Sequence, residues 1–258
     1  MVVLKSPREI SFLREANRIV AETLKRLVRE IVPGITTGEL DRIAEEMIRE
    51  KGALPAFKGY RGYPFATCIS VNEVVVHGMP GERVIKEGDI VSIDLGARWK
   101  GYYGDAAITY PVGKISPIAL KLLKITYQAL HEGIKNARVG NRLGDISSAI
   151  QRKAEGEGFR VVRAFVGHGI GRELHEDPQV PNFGEPGKGM KLLEGMTLSI
   201  EPMVNQGTEE VVILEDGWTA VTRDGKLSAH FEHTIAITRD GPEILTREWE
   251  EVVKEFLG

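Results

Sequence analysis

Apolar residues recur at helical spacing in four stretches of the chain. SFLREANRIVAETLKRLV (11–28), IVPGITTGELDRIAEEMIREKGA (31–53), SPIALKLLKITYQALHEGI (116–134) and NARVGNRLGDISSAIQRKAEGEGF (136–159) carry them at i, i+3 and i+4, the mark of helices with one buried face. Between and after these lie shorter runs, KEGDIVSID (86–94), GDAAIT (104–109), VVRAFV (161–166), LEGMTLSIE (193–201) and FEHTIA (231–236), which read as strands. The order is a helix pair then strands, twice over. Such alternation predicts an α+β fold with helices packed outside a curved antiparallel sheet.

The two halves also match residue by residue. An offset of 106 (140 − 34) places Gly34 on Gly140, Gly38 on Gly144 and Glu39 on Asp145. An offset of 107 (201 − 94) places Gly88 on Gly195, Ser92 on Ser199 and Asp94 on Glu201, and GDAAIT resembles FEHTIA with Asp105 on Glu232. Amphipathic periodicity predicts polar residues in general, not acids at matching points. We therefore expect one catalytic domain over 1–258, made of an internal repeat (about 10–112 and 115–245) related by a pseudo-twofold axis.

Asp94 and Glu201 each follow an apolar run, which predicts strand ends packed on a core, where lone acids are rare. A hairpin turning near Trp99 and Lys100 would set Asp94 and Asp105 roughly opposite each other. Neighbouring buried carboxylates must share a proton or hold a cation. Four acids gathered in one cleft call for positive charge at its centre.

A histidine is the expected remaining ligand, and the chain has six. His168 and His175 sit in the Gly-rich stretch GHGIGRELHE, and His77 follows a strand in NEVVVHGMP. His131 and His230 read as structural. His233 should point to the strand face opposite Glu232. An oxygen-rich set without thiolate suits Mn²⁺, Fe²⁺, Co²⁺ or Zn²⁺, and the carboxylate count suggests two ions about 3.5–4 Å apart, a centre for hydrolysis.

In order and local context, Asp94, Asp105, His168, Glu201 and Glu232 resemble the five-ligand dinuclear site of the methionine aminopeptidases, whose fold is called pita-bread. The resemblance covers nearly the whole chain. It implies that Asp105 and Glu232 bridge the metals, that Asp94 binds one ion, and that His168 and Glu201 hold the other. The implied reaction removes the N-terminal methionine from nascent proteins and peptides by attack of a metal-bridged hydroxide on the first peptide bond. A small second residue is preferred in that family. Glu201 would also handle protons, His77 would contact the substrate near its amino end, and His175 would stabilise the developing oxyanion. The implied methionine pocket is Phe57, Tyr60, Tyr63, Cys68 and Trp218. Phe57 and Val76 depart from relatives that carry cysteine there, and Leu174 stands where an aromatic can occur. The intervals His168 to Glu201 (33 positions, 201 − 168) and Glu201 to Glu232 (31, 232 − 201) leave no room for the type II helical insertion, so the likeness is to type I.

Composition removes other classes. A net charge of −3 with dispersed Lys and Arg leaves no footprint for nucleic acid. No apolar run approaches the ~18 residues of a membrane span, and one cysteine cannot make an internal disulfide. A monomeric cytoplasmic enzyme with transient ribosome association is expected. GHGIG (167–171) lacks the Lys-Ser/Thr and helix start of a phosphate cradle. Two rivals share the scaffold: an X-Pro aminopeptidase or prolidase-like peptidase, and a binding protein that has lost catalysis.

Overall fold

The computed structural model describes residues 2–258. Its helices are α1 (Pro7–Leu27), α2 (Thr37–Glu50), α3 (Pro117–Asn136), α4 (Leu143–Gly156) and α5 (Glu250–Leu257). The first set of strands is β1 (Leu54–Pro55), β2 (Thr67–Val71), β3 (Val74–Val76), β4 (Ile90–Trp99) and β5 (Tyr102–Pro111). After α4 come β6 (Arg160–Val161), β7 (Gly167–Gly169), β8 (Glu176–Val180), β9 (Thr197–Ile200) and β10 (Met203–Asn205). The last are β11 (Val211–Ile213), β12 (Ala220–Thr222), β13 (Ser228–His230), β14 (His233–Thr238) and β15 (Gly241–Ile244).

The helix starts explain themselves locally. Ser6 accepts the Glu9 N–H while Glu9 accepts back from the Ser6 N–H, a capping box ahead of Pro7,. Thr36 and Glu39 repeat this at α2, and Asp145 accepts the Arg142 N–H at α4. Isolated bridges recur at the same interval, Thr36 with Val84 and Arg142 with Lys191. The sequence offset is thus also a recurrence of backbone geometry.

Two antiparallel sheets carry the site. In the first, β4 pairs with β1 and β2 along one edge and with β5 along the other. The second runs β15-β14-β9-β7-β8. They meet at a seam of hydrogen bonds: the Glu232 N–H donates to the Ala107 carbonyl (2.9 Å), and Thr234 Oγ1 donates to the Asp105 carbonyl (2.8 Å). Thr109 Oγ1 donates to the His230 carbonyl (2.8 Å) and accepts its N–H (2.9 Å). Apolar faces of α1 to α4 cover the sheets, and one contiguous core runs from Ile19 and Leu24 through Ile93 and Ile108 to Leu198, Phe231 and Trp249,.

Three expectations need correction. The β4–β5 hairpin turns on Lys100-Gly101, both with positive φ (47° and 83°), so Trp99 faces Tyr102. This two-residue turn suits the strand twist, and it pairs Asp105 with Gly96 and Asp94 with Ala107. The aspartates are therefore diagonal neighbours on one face, not directly opposed. Asp94 also lies in mid-strand, because β4 continues five residues further to Trp99 (99 − 94). Finally, VVRAFV is strand only at Val161; Ala164, Phe165 and Val166 are apolar because they line a cavity.

Candidate active site

One cavity of about 260 Å³ opens between the sheets. It is lined by Asp94, Asp105, His168, Glu201 and Glu232 on one side and by Phe57, Tyr60, Tyr63, Cys68 and Trp218 on the other. His77 and His175 face it too. Every residue expected in the site from the sequence lines this cavity.

Hydrogen bonds hold three of the four acids in place. Asn17 on the buried face of α1 accepts the Asp105 N–H with its side-chain oxygen at 3.2 Å. Ser199 of β9 donates its hydroxyl to Glu232 Oε1. Asn182 donates to the Glu201 carbonyl at 3.1 Å. His168 sits between two glycines for a steric reason. A Cβ at Gly167 would lie 2.3 Å from the Ser199 oxygen, and one at Gly169 would lie 2.2 Å from the Asp177 oxygen. Strand β7 is thus squeezed between β9 and β8, with the imidazole as its one projecting side chain.

The His168 tautomer follows from its neighbour. Nδ1 lies 2.8 Å from the Gly169 carbonyl, which can only accept, so Nδ1 carries the proton and Nε2 keeps a free lone pair. That lone pair faces Glu201 Oε1 (3.5 Å) and Asp105 Oδ2 (3.9 Å). Burial holds the ring neutral, lowering its pKa to about 4.

The carboxylates repel one another. Asp94 is pushed well above its ordinary value, first by burial and then by Glu232. Burial followed by neighbouring carboxylates acts likewise on Asp105 and Glu201, and burial raises Glu232 to about 7. Asp94 Oδ1 and Asp105 Oδ1 are buried without a hydrogen-bond partner. Orphaned oxygens, mutual repulsion and an imidazole lone pair facing the carboxylates make a donor set that fits a divalent cation.

His230 corrects the structural reading given to it. It is buried, its Nε2 is unpartnered and lies 3.7 Å from Glu201 Oε2, and it shares a candidate ligand cluster with Glu201 and Glu232. The signal was its position two residues before Glu232, which puts both on one side of an extended chain. His233 does point away, with Nδ1 2.7 Å from Thr246 Oγ1.

The opposite wall is aromatic. Tyr63 meets Trp218 edge-on at 5.0 Å and donates its hydroxyl to the Thr67 carbonyl at 2.9 Å. Asp41 of α2 accepts the Thr67 N–H and hydroxyl, which fixes that carbonyl. Cys68, the next residue of β2 and paired with Asp94 across the sheet, is a thiol kept protonated by burial and by that aspartate. Tyr60 stacks on His175 at 5.2 Å, with its hydroxyl 2.9 Å from His175 Nδ1. His77 adopts a left-handed φ of 58° and packs edge-on against Phe165.

Residues 11–239 match metallopeptidase family M24. The chain belongs to that family. Within M24 it is 57% identical to methionine aminopeptidase 1 of Bacillus subtilis, over 96% of this chain and 100% of the relative. Its structure superposes on methionine aminopeptidase from Thermotoga maritima with a TM-score of 0.94 and 53% identity, covering 95% of this chain and 99% of that one. A prolidase from Pyrococcus horikoshii is more distant: TM-score 0.78, 26% identity, covering 95% of this chain and 64% of the prolidase. The fold is the M24 pita-bread fold, and M24 membership makes the chain a metallopeptidase. Among the described residues, no helix is long and apolar enough to cross a membrane.

Proposed function

We propose that the chain removes the N-terminal methionine from peptides and nascent proteins, with two divalent ions held by Asp94, Asp105, His168, Glu201 and Glu232. The observation that carries this reading is the meeting of that donor set with an aromatic, sulfur-lined pocket, in a chain 57% identical to a methionine aminopeptidase across nearly its full length. Two ions there would make a water acidic enough to lose a proton near neutral pH and would polarise the peptide carbonyl.

The chain's own residues do the rest. Asp105 and Glu232 lie on either side of the seam and each offers two oxygens, which suits bridging. Asp94 would hold one ion, and His168 with Glu201 the other. Glu201 takes and returns the proton, with His230 facing its second oxygen. The Tyr60 hydroxyl lies 2.9 Å from His175 Nδ1; with that hydroxyl donating, a neutral ring would carry its proton on Nε2, where it can meet the scissile carbonyl oxygen. His77 contacts the substrate near its amino end. A thioether fits among Phe57, Tyr60, Tyr63, Cys68 and Trp218 because sulfur packs well at ring edges. The cavity volume, below the roughly 300–1,000 Å³ of drug-sized clefts, suits one side chain.

Purified protein given Mn²⁺ or Co²⁺ should release methionine from Met-Ala-Ser and leave Gly-Pro-type peptides intact, by mass spectrometry. Cleavage of the proline peptides alone would replace this reading with a prolidase-like one. His175→Ala should lower kcat by roughly 10²–10³, the loss expected for one oxyanion donor. A change confined to KM would show instead that His175 only binds substrate.

A further inference from the structure

A second set of ligating side chains lies outside the cavity, beneath the C-terminal helix. His131 on α3, His233 on β14 and Glu250 at the start of α5 bring two imidazole nitrogens and a carboxylate oxygen within 4.8 Å of one another. Glu250 Oε1 is 3.3 Å from His131 Nε2 and 3.2 Å from His233 Nε2. Nitrogen and oxygen ligands about 2.0–2.2 Å from a tetrahedral zinc ion stand about 3.3 Å apart, so both spacings fit ligands sharing one ion; the shorter is also a hydrogen bond. The His131 Nε2 atom is buried and, although close to Glu250, has no hydrogen-bond partner.

The rings are held in place. His233 stacks on Trp249 at 4.2 Å, and its Nδ1 meets Thr246 Oγ1, the outer contact that orients a ligating imidazole. His131 packs edge-on against Tyr127 at 4.5 Å. A surface cleft lined by Tyr127, Gln128, His131, Glu132, Lys135 and Lys153 opens beside the cluster at His131. Lys135 and Arg247 oppose a cation here while Glu132 favours one, so retention rests on the three ligand atoms rather than on the local field.

We propose that His131, His233 and Glu250 form a metal site separate from the cavity, taking a zinc-like divalent ion whose fourth position is filled by water. Two imidazoles with one carboxylate suit zinc, and then cobalt or nickel. An ion there ties α5 to α3 and β14.

Zinc alone, dialysed against the metal-free full-length chain, tests this through the ion count per chain and the amide hydrogen exchange of residues 250–257. Wild type should hold one zinc more than His131→Ala or Glu250→Gln, and zinc should slow exchange across α5 in wild type only. Glu250→Gln keeps the side-chain shape and decides the matter should His131→Ala fold poorly. Equal counts in wild type and Glu250→Gln would overturn the site, as would α5 exchange that zinc leaves unchanged. The count is a difference, so it is independent of how many ions the cavity holds, and both variants should keep wild-type peptidase rates.

Discussion

Glu201→Gln should lower the rate of methionine release by at least about 10²–10⁴-fold, the contribution of a positioned acid–base group, while the protein keeps its cooperative thermal transition. The side chain sits where proton transfer is needed, between His168 and His230, and its charge is no part of the apolar core. His168→Ala should lose at least as much, because it removes the one lone pair whose direction the Gly169 carbonyl fixes. Single-turnover rates on a Met-Ala peptide, read beside melting curves, separate catalysis from folding. Near-wild-type turnover in either variant would refute the roles given to these residues.

Asp105→Asn should abolish activity and, without metal, raise stability. Burial first, and then Glu232, Asp94 and Glu201, push the Asp105 carboxyl well above its ordinary value. Below about pH 4 the group is protonated in the folded and the unfolded chain alike, and the substitution makes no difference. Above that range the unfolded chain gives up the proton while the folded chain retains it, so the unfolded state gains. Asparagine has no such proton. Its advantage should therefore grow with pH, reaching on the order of 1–4 kcal/mol near neutrality, at about 2–4 °C per kcal/mol for a chain of this size. Adding Mn²⁺ should favour the wild type and narrow the gap, since an ion that binds only the folded state stabilises it. Equal melting temperatures of the metal-free proteins at pH 7 would show that the carboxylates do not repel one another as described.

These effects trace back to features legible in the chain. The acids were visible because Asp94 and Glu201 end apolar runs where a lone charge is out of place, and because their spacing repeats. The helix pairs were visible through periodicity and capping residues. Strand register was less so. The Lys100-Gly101 turn shifts each pairing from the expected one, which only the left-handed backbone at both positions reveals. VVRAFV misled because a cavity wall and a buried strand demand the same apolar residues. His230 was read as structural because it falls beside a strand end, whereas the seam with Thr109 carries it inside. The contact of His131 and His233 with Glu250 joins three elements distant in sequence, and no local pattern announces it.

Cys68 gives the carboxylate site a chemical voice. Its sulfhydryl is a poor nucleophile because burial, and behind it the field of Asp94, disfavours the thiolate,. A cation among the carboxylates cancels that field and leaves the burial unchanged. A small uncharged alkylating reagent entering the pocket should accordingly label the loaded protein faster than the stripped one, so the labelling rate reports ion occupancy in the absence of any peptide.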